Sequence, residues 1–334
     1  MYSHGWGNVG KADRGVSSVK ASTLIIQKAK DNTMSKTETK KKFQFKGERT
    51  KSTIIIIVAL IIFLALIILD FVPGYTFFLA AISAVGTSEL IKAVGSKSKI
   101  LLTVACTVSF FTVCAEGFSI AVPHGTILLS FYVLILLFLS VVFNKQIKYL
   151  DSVMAFFASI CVPYAFSCFI RLNNFSEVNA EFTRWEEFFL VGLGFSCSWV
   201  TDSFAFLVGR KLGKHKMCPV ISPKKSVEGA IGGTVVTSIF NVFLVFIFGL
   251  IASKYGHENF ITEGALKYLI IIPVSWVLSV VSMFGDLAAS VLKRNVGIKD
   301  YSNLLPGHGG IMDRFDSIVF VVPVLYGISV LIFG

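Results

Sequence analysis

Nine stretches of this 334-residue chain are apolar over nearly the length a bilayer's hydrocarbon core demands, and they fall at about 53–71, 75–93, 100–116, 125–143, 150–170, 187–208, 230–252, 267–286 and 316–333. A spanning helix needs about 20 such residues, because every backbone polar group inside lipid must be satisfied within its own segment. With 54% hydrophobic and only 15% charged residues, the chain lies outside the balance of a soluble domain. The expected fold class is therefore all-α: a polytopic integral membrane protein with about nine transmembrane helices.

The connecting segments test that list, since cytoplasmic loops carry the Lys and Arg of a membrane protein. If the N-terminus is placed inside, 27 of the 31 basic residues fall on one face, leaving only Arg171, Arg184, Lys254 and Lys267 on the other. The opposite-face loops carry instead Asp70, Glu116, Glu177, Glu181, Glu186, Glu187, Glu258 and Glu263. Removing any span would scramble this asymmetry. The expected placement is thus a multi-pass protein of the cell (plasma) membrane, with its N-terminus cytoplasmic and its C-terminus on the opposite face. The basic excess serves topology and anionic phosphate or lipid groups, and no nucleic-acid partner is expected.

Residues 1–52 read as a disordered basic cytoplasmic tail, poor in aromatic residues and carrying the run Lys40-Lys41-Lys42. They lack the apolar core of a cleavable signal, and Met34 is an alternative start within them. Residues 53–334 form one transmembrane domain. The six cysteines show no metal-ligand spacing and mostly lie in apolar runs, where thiols pack as small hydrophobes.

Ionisable groups are costly inside a bilayer, at roughly 3 kcal/mol each on insertion scales, so they mark places to look for chemistry. Three carboxylates stand out: Glu89 in the second span, Asp202 late in the sixth and Asp286 at the cytoplasmic end of the eighth. Glu89 reads most simply as an intrahelical partner of Lys92, one turn on. The other two lead into basic cytoplasmic loops.

The first loop reads Gly209-Arg210-Lys211-Leu212-Gly213-Lys214-His215-Lys216, followed by Ile221-Ser222-Pro223-Lys224-Lys225-Ser226-Val227-Glu228-Gly229. It lacks the spacing and the hydroxyl of a nucleotide-binding P-loop. Ser222-Pro223 instead looks like a helix start, with free N–H groups beside Lys224 and Lys225 to meet an anion. Gly229 to Gly233 opens the seventh span with small residues that let another helix backbone approach.

The second loop carries the stronger signal: Gly285-Asp286-Leu287, Ser290, Lys293-Arg294, Lys299-Asp300 and Leu305-Pro306-Gly307-His308-Gly309-Gly310-Ile311-Met312-Asp313-Arg314-Phe315-Asp316-Ser317. Asp313 and Asp316, three apart, share a face if they open the ninth helix, and Asp286 from the neighbouring span completes a set of hard oxygen donors. Such a set suits Mg²⁺, which takes one or two carboxylates and fills its remaining sites with water and substrate phosphate. Lys293, Arg294, Lys299 and Arg314 supply charge for a triphosphate and a lipid phosphate. The glycines let backbone approach a ligand. His308 can bond phosphate or the loop, act as a general acid or base, or make no ligand contact.

The run Ser290-x-x-Lys293-Arg294-x(4)-Lys299-Asp300-x-Ser302-x-x-Leu305-Pro306-Gly307-His308-Gly309-Gly310-Ile311-x-Asp313-Arg314-x-Asp316 resembles the signature of the phosphatidate cytidylyltransferases. Gly209-Arg210-x-x-Gly213-Lys214-His215 and Ser222-Pro223-Lys224-Lys225-Ser226-x-Glu228-Gly229 resemble further motifs of that family, so the matched catalytic region covers about 200–317. Phe204, Phe206, Ser226 and Ala289 depart from its usual residues.

The resemblance implies transfer of CMP from CTP to phosphatidate in the bilayer, giving CDP-diacylglycerol and pyrophosphate, and a homodimer. It implies Asp286, Asp313 and Asp316 as metal-binding carboxylates; the donor set calls for Mg²⁺ and the transfer chemistry leaves room for a second cation, and Lys293, Arg294 and His308 complete the expected catalytic set. Ser222, Lys224, Lys225, Ser290, Lys299, Arg314, Gly309 and Gly310 are the expected substrate-binding residues. A CTP-dependent enzyme acting on another lipid phosphate or lipid alcohol is the neighbouring alternative. A secondary transporter would gather its ionisable groups near the midplane instead, and the DGxxAR pattern of CDP-alcohol phosphotransferases is missing from the sequence.

Overall fold

Helices account for nearly all the regular structure, as expected for a chain whose apolar runs must satisfy their own backbones. The computed structural model describes residues 50–119, 125–180, 182–254 and 266–333. The basic tail up to residue 49, with Met34 and the Lys40–Lys42 run, lies outside them, as do Glu181, Glu258 and Glu263. The chain divides into a unit of residues 1–57, described only from Thr50 onward, and a unit of residues 58–334.

In chain order the helices are α1 (Thr50–Ile68), α2 (Val72–Ala93), α3 (Lys99–Gly117), α4 (Gly125–Val142), α5 (Tyr149–Asn173), α6 (Arg184–Phe195) and α7 (Thr201–Leu212). There follow a short antiparallel hairpin, β1 (Lys216–Cys218) and β2 (Ser222–Ser226), then α8 (Val227–Lys254), α9 (Leu266–Asn295), the single turn α10 (Met312–Phe315) and α11 (Ile318–Phe333). A π-helical turn at Ser196–Val200 joins α6 to α7, so the sixth expected span is one helical run with a bulge.

Among the described residues, seven helices are long and apolar enough to cross a membrane. The fourth and ninth expected spans are shorter apolar helices, over Leu129–Val142 and Ile318–Phe333, so the length criterion meets seven of the nine expected. Large apolar side chains stand exposed on α1, α3, α4, α8 and α9, among them Ile68, Phe111, Phe138, Ile239 and Phe284. Water does not tolerate apolar surface on that scale, and hydrocarbon does; the helices are those of a multi-pass membrane protein.

Inside the bundle, small and hydroxylated residues supplement an apolar core that includes Phe166, Phe175, Leu193 and Leu325. Gly229 and Gly233 of α8 lie against α7, where an added Cβ would stand 2.5 Å from the Ala205 carbonyl and 2.8 Å from that of Thr201 respectively. Thr201 bonds Thr237 of α8 across the same seam at 2.9 Å and Ser279 of α9 at 3.0 Å, and Asn241 of α8 donates to Ser275 of α9 at 2.9 Å. Hydroxyl and amide bonds of this kind hold helices together where lipid offers no hydrophobic drive. The expected helix-packing role of the α8 glycines is met.

Of the described residues expected on the sparsely basic face, Asp70, Glu116, Arg171, Arg184 and Glu187 gather at one end. Arg171 grips Glu116 through both oxygens, at 2.7 and 2.8 Å, while Arg184 bridges Asp70 at 2.6 Å and Glu187 at 2.8 Å. The first pair ties α3 to α5, and Arg184 ties the first turn of α6 to the end of α1 and to the end of α5, donating also to the Ile67 and Asn173 carbonyls. The motif loops, together with the Lys92 end of α2, lie at the other end.

Candidate active site

Three chain segments build the site: the α7–α8 hairpin, the C-terminal half of α9, and the loop from Tyr301 to Ser317. On α9, Asp286, Ser290 and Lys293 are spaced four and then three residues apart and so share one face. On β2 Lys224 is exposed and Lys225 is partly buried. Its Nζ reaches Asp286 Oδ2 at 2.7 Å and donates to the Met283 carbonyl at 3.4 Å.

This hairpin corrects one expectation. Ser222-Pro223 does not start a helix; both residues lie in β2, and the helix begins at Val227. Ser226 is the residue that accepts from the Gly229 N–H, at 3.2 Å, in the manner of an N-cap. Proline fits the edge of a two-stranded ribbon, where its missing N–H costs no ladder bond. Glu228 fastens the hairpin, accepting from the backbone N–H groups of Lys214 and His215 and meeting His215 Nδ1 at 2.5 Å.

The glycine-rich loop folds back through a tight turn. His308 N–H donates to the Leu305 carbonyl at 2.8 Å with Pro306 and Gly307 between them, and Gly307 has φ +76°. This is the type II pattern, proline first and a left-handed glycine second. Leu305 N–H then donates to Gly309, itself at φ +82°. His308 is half-buried, and its carbonyl accepts from Arg314 at 2.5 Å. Arg294 donates to the Ile298 carbonyl, and Lys299 is exposed.

The acidic residues divide their tasks. Asp313 turns into the loop: Oδ2 accepts from the N–H groups of Tyr301 and Gly310, at 2.8 and 2.9 Å, and Oδ1 meets Lys293 at 2.9 Å. Lys293, buried and lying over the Tyr301 ring, is also 3.6 Å from Asp316. Asp316 sits in the turn ahead of α11, and its neighbour Ser317 donates a hydroxyl bond to Asp202 at 2.9 Å. Burial first, and then the nearby charge of Asp286, push the Asp316 carboxyl up to about 7 against the opposing pull of Lys293. Asp202 adds repulsion of its own.

Asp202, Asp286 and Asp316 are therefore the carboxylates that share one electrostatic space, with Asp313 bound to the loop beside them. A cavity of about 200 Å³ opens here, lined by Asp202, Ser222, Lys224, Lys225, Met283 and Asp286. It unites residues from both motif loops.

Among the described residues no three His, Cys, Asp or Glu side chains converge into a ready metal site. The donor chemistry nevertheless fits a hard divalent cation. Mg²⁺ is held by one or two carboxylates and completed by substrate phosphates instead of an all-protein cage. The crowding of three carboxylates around two ammonium groups is the charge pattern such an ion would relieve.

Sequence reasoning misread Glu89. It does not pair with Lys92; its carboxylate accepts from Ser302 Oγ at 2.6 Å and from the N–H groups of Ile311 and Met312 at 3.1 and 2.7 Å. The signal was present, since a carboxylate on a helix that packs inward needs several donors, but nothing in the spacing named a partner over 200 residues away. The contacts of Asp202 with Ser317 and of Tyr301 with Asp313 were equally unreadable before folding.

The sequence from residue 49 to residue 332 matches the cytidylyltransferase family. It is 32% identical over 283 residues to the phosphatidate cytidylyltransferase of Bacillus subtilis (strain 168), covering 81% of this chain and 93% of that one. It is 38% identical over 143 residues to the phosphatidate cytidylyltransferase of Staphylococcus haemolyticus, and 42% identical over 145 residues to that of Staphylococcus saprophyticus. Each staphylococcal match covers 43% of this chain and 50% of the relative. The chain belongs to the cytidylyltransferase family.

Proposed function

We propose that this protein transfers CMP from CTP to phosphatidate, forming CDP-diacylglycerol and pyrophosphate for phospholipid synthesis. Family membership along most of the chain supports the reaction, and the observation that carries it to these residues is the Lys225–Asp286 pair at the cavity where both motif loops meet.

In this reading a phosphate oxygen of phosphatidate attacks the α-phosphorus of CTP. A new P–O bond forms as the α–β bridge breaks, and the electron pair leaves with pyrophosphate. No protein nucleophile is needed, so the residues work by positioning and by stabilising charge. Lys224 and Lys225 on β2, with Lys293, Arg294, Lys299 and Arg314 from the second loop, neutralise triphosphate and lipid phosphate. Ser222 and Ser290 offer hydroxyls to phosphate oxygens, and the Gly309-Gly310 backbone lets the loop approach the nucleotide. His308 belongs to the same loop and would bond phosphate.

Asp286 and Asp316, with Asp202 beside them and Asp313 fixing the loop, would hold Mg²⁺ and a second cation. Bound there, these ions would offset the charge of the triphosphate and the attacking phosphate.

The acyl chains of phosphatidate must remain in lipid while its headgroup meets a soluble nucleotide. A site at one end of the bundle suits this, and the positive-inside count puts that end in the cytoplasm. The same count sets the N-terminus inside and the C-terminus on the outer face of the cell membrane. The family resemblance implies a homodimer. Purified protein given labelled CTP and a panel of lipids tests the reading: phosphatidate alone should be converted, whereas preference for a polyprenyl phosphate or a lipid alcohol would replace it.

A further inference from the structure

Glu89 belongs to α2, outside both motif loops, and is 3% exposed. Among the described residues no ion pair involves it. Its charge is met by three hydrogen bonds, and all three donors lie between Ser302 and Met312. The acceptors are shared out: Oε1 takes Ser302 Oγ and Ile311 N–H, and Oε2 takes Met312 N–H.

The residues so held run directly into the acidic pair. Ile311 and Met312 precede Asp313, and the Gly310 N–H between the two carboxylates goes to Asp313 Oδ2. One carboxylate from α2 and one from the loop thus staple the same turn from opposite sides. Asp313 then meets Lys293, and Lys293 meets Asp316. Any slack at residues 310–312 moves both aspartates relative to Asp286 on the neighbouring helix.

Gly310 fits the same arrangement. A Cβ there would lie 2.5 Å from Glu89 Oε2 and 2.6 Å from Oε1, closer than any real contact. The second glycine of the Gly309-Gly310 pair is small because the α2 carboxylate packs against its Cα.

We propose that Glu89 is a positioning residue for cytidylyl transfer: it anchors the 302–312 loop through Ser302, Ile311 and Met312, and so fixes Asp313 and Asp316 against Asp286. The inference rests on the cytidylyltransferase reading of the site, and its test separates the two. Purified wild-type protein, Glu89→Ala, Glu89→Gln, Gly310→Ala and the Glu89→Ala/Gly310→Ala double variant are compared without ligand by hydrogen exchange, and with CTP, phosphatidate and Mg²⁺ by turnover.

In Glu89→Ala, exchange should quicken over 300–316 and stay at the wild-type rate in α8. The kcat should fall by about 10- to 100-fold, the range seen when a partner behind a metal-binding residue is lost, with the KM for CTP little changed. Glu89→Gln keeps one acceptor oxygen and should recover part of both losses. Gly310→Ala should be damaging alone and add little to Glu89→Ala, because the clash disappears with the carboxylate. Wild-type exchange over 300–316 in Glu89→Ala overturns the proposal, as does faster exchange throughout the protein, faster exchange with unchanged kcat, or full additivity of the two substitutions. If the wild-type protein itself fails to turn over CTP with phosphatidate, the reaction assigned to the site falls, while the exchange data still decide whether Glu89 anchors the loop.

Discussion

Lys225 and Asp286 stand 2.7 Å apart, nitrogen to oxygen, and through them a strand from the first motif loop is bound to the helix that starts the second. The pair is partly exposed at the edge of the cavity. A lysine so placed can release its carboxylate to a metal ion and turn to a phosphate without leaving a charge buried alone.

Replacing Lys225 by alanine should lower kcat/KM for CTP by about 100-fold, the scale of losing one positioned charge at a transferring phosphate. Neighbouring Lys224 lines the same cavity but is more exposed and forms no ion pair among the described residues, and its replacement should cost less. Steady-state pyrophosphate release compares them.

Lys293 is much more enclosed, with 10% of its side chain exposed against 4% for Asp313. Asp313→Asn keeps the shape but leaves the ammonium with the more distant Asp316 alone. Removing one member of a buried pair costs about 3–5 kcal/mol. Asp313→Asn should therefore lose activity and also melt earlier in a detergent thermal scan, whereas Lys225→Ala should melt close to wild type.

The α7–α8 seam has no room for a side chain at Gly229, where an added Cβ would also lie 3.0 Å from Gly209 Cα. Gly229→Ala should destabilise by about 1–3 kcal/mol through overpacking. Because this seam carries the 209–229 hairpin, activity should fall with stability. Thermal unfolding and turnover on the same preparation check both.

Cys218 lies on β1, in the hairpin assigned to the cytoplasmic side, and is partly exposed. A membrane-impermeant maleimide should label it in inverted vesicles and not in right-side-out ones, and Cys218→Ser should remove that signal. Labelling from outside would reverse the orientation.

Much of this was legible in the residues. The apolar runs located the helices, because lipid leaves a spanning backbone no alternative, and the charge partition separated the Arg184 end from the Lys225 end. The glycine-rich run announced a tight loop bearing acids. What the sequence did not display was which carboxylate meets which donor. Spacing shows that Asp313 and Asp316 are near each other, yet only the fold shows that Asp313 bonds Tyr301, Gly310 and Lys293. Ser222-Pro223 had the chemistry of a helix start and became a strand, because pairing with β1 claimed the backbone first. Glu89 looked like half of a surface pair because Lys92 is close in sequence, while its true partners come from residues over 200 positions away.

In the proposed reaction, carboxylates from α9 and the α10–α11 turn, together with Lys225 and Lys293, would carry a cation-assisted transfer between a nucleotide and a lipid phosphate. Pyrophosphate release by the purified protein, with CTP and phosphatidate each withheld in turn, tests it most directly when repeated with EDTA and with Asp316→Asn. Release that needs both substrates, stops with EDTA, returns with Mg²⁺ and is nearly abolished in Asp316→Asn is the expected result; release that ignores EDTA and survives Asp316→Asn undiminished would contradict it.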